Sequence, residues 1–420
     1  MDQKRKEGVA MDRRTLLKYA GALGVGTLLT GLPKIGAAKK VEEVRVGVME
    51  AFSGFLAKTG GWNKMAYEMA EDEINKAGGI KSLGGAKLKL IYRDIEGKAA
   101  VGMAVAEKLC NEGVTALIGC YQSDVSFATT QVAEKYKVPQ LVPVGVADEI
   151  TERGFKYAFR HNVKASWLAR DTFEFLEYIS KKTGIKPKTA VIFVNDSSYP
   201  QSVGKGQREF AKKTGFLEIV GDFSYPLKTT DLSTEVSKIK ALKPDLVLST
   251  CYLPDGILMI RTMKELDLKL MGHLQIGGPL EIEFPQTLGK LAENILSCTG
   301  GWNPDVKIPG ARELNERFKK RFGRDMFAIT AMCYGTIFTL KEALEKAGST
   351  DREKLREALT KIHIPLGKGV MAHGVKFGED GQNIEAKNLV LQIRDGRLQT
   401  VWPTEVAPIE AIWPLPAWKA

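Results

Sequence analysis

Histidine and cysteine are scarce in this chain. The four histidines in 420 residues, His161, His273, His363 and His373, stand singly, and isolated histidines are more often surface or satisfied core groups than ligands. The five cysteines, Cys110, Cys120, Cys251, Cys298 and Cys333, form no CxxC and no metal-ligand spacing. Cys110, Cys251 and Cys333 lie among apolar residues and read as small buried hydrophobes. No apolar run is long enough for an ordinary membrane-spanning helix. The chain lacks GxxxxGKS and GxxxxGKT, a GxGxxG between strand and helix, HExxH and GxSxG. No pair of carboxylates stands out for acid–base work. No metal and no cofactor is expected, and the silence argues against catalysis.

What is present suits a soluble α/β protein. The hydrophobic share is 44% and the charged share 26%, ordinary for a globular chain, and the length fits two lobes. Net charge is +11, of which residues 1–38 carry +4. The remaining charges are mixed along the chain and form no nucleic-acid footprint. Asp12-Arg13-Arg14-Thr15-Leu16-Leu17-Lys18 resembles a twin-arginine export signal, with Leu16 where Phe is usual. A glycine-softened apolar stretch, Tyr19 to Leu32, and the small residues Gly36-Ala37-Ala38 follow. Residues 1–38 are therefore expected to be a signal peptide and the rest to work in the periplasm or outside the cell.

The stretch Val114 to Ile150 organises the chain. An apolar run, Val114 to Ile118, ends in Gly119; the polar loop Cys120-Tyr121-Gln122-Ser123-Asp124 follows. A helical pattern, Val125 to Tyr136, leads to a second apolar run, Val138 to Val144, ending in Gly145. This is a βαβ unit. Ligands of open parallel sheets sit in the loops beyond the carboxyl ends of the strands, and Ser123 there can present its hydroxyl and the first free N–H groups to an anion. It could equally be a plain helix cap.

The same alternation runs through most of the chain. Strands are expected at Val44–Met49, Lys87–Asp94, Thr189–Val194, Leu217–Phe223, Asp245–Thr250, Leu270–Ile276 and Ile295–Thr299. Helices are expected at Trp62–Ala77, Ala99–Glu112, Trp167–Lys181, Gly204–Thr214 and Leu232–Ala241. Two long helices, Gly310–Phe322 and Ala328–Ala347, come without strands between them. Strand-like pieces close the chain at Gly369–Ala372, Leu389–Arg394 and Leu398–Val401, with Asp395-Gly396 a hairpin signal. The Pro/Trp-rich tail, 404–420, reads as extended and superficial.

Val44-Arg45-Val46-Gly47-Val48, Phe52-Ser53-Gly54, and Gly60 ahead of a helix ending Glu73-Ile74-Asn75-Lys76-Ala77-Gly78-Gly79 resemble the branched-chain amino-acid-binding proteins, the leucine-binding family. The order continues through Val114–Ser123, Pro139–Val142, Gly145-Val146-Ala147, Ile150–Gly154 and Tyr157–Arg160, and the likeness covers about Val44 to Pro403. The resemblance implies a type I periplasmic binding protein: α/β, two Rossmann-like lobes with parallel sheets joined by a three-crossover hinge. Lobe one would hold 41–158 and 302–365, lobe two 159–301 and 366–403. Such proteins receive a small-molecule ligand, an amino acid or related carboxylate, and deliver it to an ABC permease.

By the same resemblance, the ligand carboxylate would meet Gln122, Ser123, Gly145, Val146 and Ala147, with Phe52 and Tyr121 nearby. Tyr199 and Tyr252 would close over it from lobe two, and Glu281, beyond Gly277, would pair its ammonium. The sequence departs from the family in displacing Glu281 by a few residues and in placing Ala147 where Thr is common. Other readings stay open: Tyr199 and Tyr252 as rim aromatics, Glu281 as a first-turn helix charge, Phe52 as core. Rival functions are a receptor for an amide, urea-like or aromatic-acid ligand, or an exported enzyme.

Overall fold

The structure, a computed structural model, describes residues 41–416; the twin-arginine-like segment lies outside them. Valine-, isoleucine- and leucine-rich runs, buried on both faces in the inner strands, make two sheets. The first holds β1 (Glu43–Glu50), β2 (Lys87–Asp94), β3 (Ala116–Ile118), β4 (Gln140–Val142) and β5 (Ala158–Arg160), all parallel, in the order β2-β1-β3-β4-β5. Helices α1 (Ala57–Lys76), α2 (Ala99–Asn111) and α3 (Ser123–Tyr136) connect its strands.

After β5 the chain enters lobe two through α4 (Ala165–Thr183), β6 (Thr189–Asn195), α5 (Ser198–Thr214), β7 (Glu218–Tyr225), α6 (Ser233–Leu242), β8 (Leu246–Cys251), α7 (Leu253–Glu265), β9 (Gly272–Gly277), α8 (Glu283–Leu288) and β10 (Leu296–Gly300). It returns to lobe one as α9 (Ala311–Phe322), α10 (Ala328–Ala347) and α11 (Arg352–Lys361), then ends in lobe two with β11 (Asn388–Arg394) and β12 (Arg397–Trp402). The second sheet has the order β12-β11-β10-β9-β8-β6-β7. Its last two strands run antiparallel, joined by Asp395-Gly396 with φ of 53° and 71°, the left-handed pair that a two-residue hairpin of this kind needs.

Three differences from the sequence reading have local causes. Helix α1 begins at Ala57 rather than Trp62 and absorbs Gly60, whose glycine is required because a Cβ there would lie 1.9 Å from the Ala51 carbonyl. Helix α5 begins at Ser198 rather than Gly204; Pro200 sits in its first turn, where no intrahelical N–H is needed. The piece Gly369–Ala372 forms no strand and instead crosses the hinge, with Ala372 N–H donating to the Gly301 carbonyl at 2.6 Å.

The passages between lobes are bonded to one another through buried polar groups. Arg160 N–H donates to the Gly381 carbonyl (2.8 Å), Asn383 N–H to the Arg160 carbonyl (3.0 Å) and Gly301 N–H to the Lys387 carbonyl (2.8 Å). Strand β5 continues through Arg160 in the first sheet, past the boundary expected at 158. His161 and His373, distant in sequence, meet here with ring centroids 6.1 Å apart; burial pushes them down to about 3 and about 4.

Within the described residues the tail is anchored to lobe two at Trp413. Trp413 is 8% exposed and belongs to the lobe-two core, its indole N–H donating to the Ile185 carbonyl at 3.0 Å. All five cysteines are buried and free. Among the described residues no helix is long and apolar enough to cross a membrane.

Candidate ligand-binding site

The carboxyl ends of both sheets face a common cavity. Its wall takes Tyr121, Ser123, Val144 and Val146 from the loops after β3 and β4, and Asn162, Val163 and Leu168 from the first crossover and α4. Tyr199, Tyr252, Ile276, Gly277 and Leu280 come from lobe two, Cys298, Thr299 and Gly300 from β10, and Ile329 and Met332 from α10. Measured at the centres of water-sized spheres the space is about 50 Å³, several times what one water needs. No Asp, Glu, Lys or Arg lines it. It is an apolar chamber with a few neutral polar groups, the usual make-up of a small-molecule site.

Ser123 is the polar group with the most defined setting. It is the first residue of α3, with Gln122 at the cap position, so the helix starts earlier than the apolar pattern alone indicates. Its hydroxyl oxygen accepts from the N–H groups of Val146 (3.1 Å) and Ala147 (3.2 Å). Its hydrogen is then left to donate, and Ser123 lines the cavity. Behind this loop sits Arg160, fully buried. Its guanidinium donates to the carbonyls of Val146 (2.9 Å) and Ala147 (2.6 Å), to Gln382 Oε1 (2.6 Å) and to Thr151 Oγ1 (2.7 Å). Burial lowers it to about 10, so it is a cation at neutral pH. The Val146–Ala147 peptide thus takes Arg160 on its carbonyl and gives its N–H to Ser123. The dipoles run in one direction, from the cation to a hydroxyl donor on the cavity wall, and bonds in such a chain reinforce one another.

Tyr252 is central among the aromatics. Its ring lies 5.8 Å from that of Tyr121 and 5.6 Å from that of Tyr199, both edge to face, and 6.3 Å from Phe55. It caps α7, and its N–H is held by Asp255 Oδ1 at 2.9 Å. Asp255 also accepts from Asn195 and Tyr225, each at 2.8 Å; burial pushes it up to about 6. Gly277, with φ of +101°, makes room for Tyr199: a Cβ would sit 2.6 Å from that hydroxyl and 2.1 Å from the Cys251 carbonyl. Burial raises all three phenols. On the cavity wall, Thr299 Oγ1 is buried with no hydrogen-bond partner.

Of the residues singled out in the sequence, Tyr121, Ser123, Val146, Tyr199, Tyr252 and Gly277 line the cavity, and Phe52, Gln122, Gly145, Ala147 and Glu281 do not. Phe52 packs edge to face on Tyr92 with Lys64 over its ring. Gln122 donates to the Gly97 carbonyl. Gly145 lies tight against Ser126, whose Oγ would be 2.7 Å from a Cβ, and Ala147 takes part through its backbone alone. Glu281 is buried, its carboxylate turned onto Thr59 Oγ1 at 3.0 and 3.1 Å. Sequence reasoning missed Leu168, Thr299, Ile329 and Met332. Thr299 ends a parallel strand and could have been found by position; Ile329 and Met332 look like any core stripe.

The family model described as periplasmic binding protein matches residues 43–397. A Leu/Ile/Val-binding protein homologue from Brucella abortus is 31% identical over 405 residues, 93% of this chain and 98% of its own. The chain belongs to the periplasmic binding protein family. A leucine-binding protein, LivK, from Thermotoga maritima is similar in fold, with TM-score 0.75 at 22% identity over 85% of this chain and 97% of that one. So is an ABC-transporter solute-binding protein from R. palustris, solved in complex with benzoate, with TM-score 0.75 at 18% identity over 88% and 99%. As a periplasmic binding protein this chain is a solute receptor, not an enzyme, and its α/β lobes are the type I arrangement.

Proposed function

We propose that the cavity takes a small carboxylate with an apolar body, the class to which the branched-chain amino acids belong, and that the lobes close on it for delivery to an ABC permease outside the cytoplasm. One observation carries the reading: the Ser123 hydroxyl oxygen accepts two N–H groups on the cavity wall, which leaves its own hydrogen available to a ligand. An acceptor-only group, such as a carboxylate, is its complement. The first turn of α3 and Arg160 behind the loop add positive potential at the same end. Val163, Leu168, Ile276, Ile329 and Met332 suit an apolar remainder. The twin-arginine-like segment, Arg13-Arg14, supports export; Arg13→Lys with Arg14→Lys is expected to hold the precursor in the cytoplasm.

A thermal-shift screen tests the ligand class, since a ligand of the native state raises its stability by mass action. Carboxylates with short branched or single-ring bodies are expected to raise the melting temperature. A rise with neutral amides or ureas and none with carboxylates is the contrary result.

A further inference from the structure

We infer that the ligand is a carboxylate without an ammonium group, a branched aliphatic or aromatic acid rather than an amino acid. The inference rests on the carboxylate reading above and narrows it. An α-ammonium held beside the carboxylate would be enclosed with it, and an enclosed charge needs an opposite charge or a full set of acceptors. The cavity wall contains no acidic side chain. The nearby carboxylates lie off the cavity wall. Both oxygens of Glu281 face Thr59. Asp255 accepts from Asn195, Tyr225 and the Tyr252 N–H. Glu50 accepts from Tyr67 and Asn63 inside lobe one. Asp124 stands in the first turn of α3 but off the cavity wall.

At the Ser123 end of the cavity the fixed charge has the wrong sign for an ammonium. Arg160 acts through the Val146–Ala147 peptide and Ser123, so its field favours an anion and opposes a cation beside it. The tyrosines do not offset this as a cation cage would: Tyr121, Tyr199 and Tyr252 meet edge to face and spend ring faces on one another. The site is therefore suited to a net charge of minus one, not to a zwitterion.

Matched pairs decide the point. Isothermal titration of the protein at neutral pH would compare leucine with isocaproate, valine with isovalerate, and phenylalanine with hydrocinnamate. In the pairs that bind, the acid lacking the amine is expected to bind on the order of a hundredfold tighter, the scale set by an unpaired buried charge. A preference below roughly tenfold, or one for the amino acid, overturns the inference and leaves the carboxylate reading standing. Binding by neither member of any pair fails the carboxylate reading itself, and the inference with it.

Discussion

Thr59 on α1 and Glu281 beyond β9 bridge the two lobes, the threonine hydroxyl lying 3.0 and 3.1 Å from the two carboxylate oxygens. Beside them, Glu283 of lobe two meets Lys58 at 3.4 Å and Arg324 at 3.2 Å, both from lobe one. Two acids of one lobe, separated by Ile282, are thus gripped by the other. Glu281 joins the lobes here and does not line the cavity.

This placement gives closure a pH dependence. Burial pushes Glu281 up to about 7 in the apposed lobes, whereas a solvated glutamate titrates near 4.5. A carboxyl raised on closing favours the closed form below the lower value and loses that contribution as pH rises to the upper one. Ligand affinity, measured by titration between about pH 5 and pH 8, is expected to fall toward pH 7 and then level off. Glu281→Gln keeps an oxygen for Thr59 and removes the ionisation, so its profile should be flat over that window. A slope retained in the variant would place the titrating group elsewhere.

Ser123→Ala removes the cavity's best-placed donor and leaves the Val146 and Ala147 N–H groups without their acceptor. Loss of a hydrogen bond to a charged ligand group is worth about 2 kcal/mol, roughly a thirtyfold weaker Kd. Melting temperature without ligand should fall too, because those two N–H groups are buried, and the loss of affinity comes in addition to it. If stability drops and affinity does not, Ser123 serves the loop alone.

The parallel-strand fold was legible because strands such as Val44–Met49 and Thr189–Val194 are short, mainly apolar runs ending near glycine or a polar loop, a pattern that amphipathic helices do not imitate. Tyr199 and Tyr252 came from the family resemblance, while the rule that ligands lie beyond strand ends pointed to Ser123 and its loop. Glu281 escaped it: Gly277 at φ of +101° and the short 3₁₀ turn Gly278–Leu280 separate it from its strand, and its side chain ends against Thr59. Arg160 enters the sequence reading only as the end of the Tyr157–Arg160 stretch, since nothing in a linear sequence tells that a lone arginine will be buried beneath a loop. Helix α10 supplies Ile329 and Met332 only because the chain returns to lobe one after β10, a long-range event that local pattern does not encode.

Glu50 offers a test of folding stability. It is fully buried at the end of β1, accepting from Tyr67 at 3.1 Å and Asn63 at 3.4 Å, and burial pushes it up to about 8. Its folded value lies above its unfolded one, so its contribution is intact below about pH 4.5 and is lost as pH rises to about 8. Glu50→Gln keeps the acceptor oxygen and cannot ionise. Whatever offset the amide introduces in acid, thermal denaturation should show the difference moving in the variant's favour as pH rises through that window. A constant difference would mean that Glu50 does not change its protonation on folding.

Tyr199 and Tyr252 belong to lobe two, Tyr121 and Ser123 to lobe one, and the ring contact of Tyr121 with Tyr252 at 5.8 Å crosses between them. A ligand touching both sides stabilises the closed form and shifts the population toward it. The Tyr121–Tyr252 pair adds about 1 kcal/mol across the lobes beyond the area that it buries, so Tyr252→Ala should weaken closure directly, and Tyr199→Ala, which removes the ring that supports Tyr252 within lobe two, should weaken it less, while both leave the Ser123 end able to hold ligand loosely. Small-angle scattering should show ligand-induced contraction in the native protein and a smaller contraction in either variant at saturating ligand. Tyr252→Ala should have the larger effect, because that ring contacts both others. Full contraction in both variants would mean that neither tyrosine latches the lobes. Absence of contraction in the native protein, with a ligand verified by calorimetry, would mean that binding and closure are uncoupled here, and the Thr59–Glu281 bridge would then hold the lobes together with or without ligand.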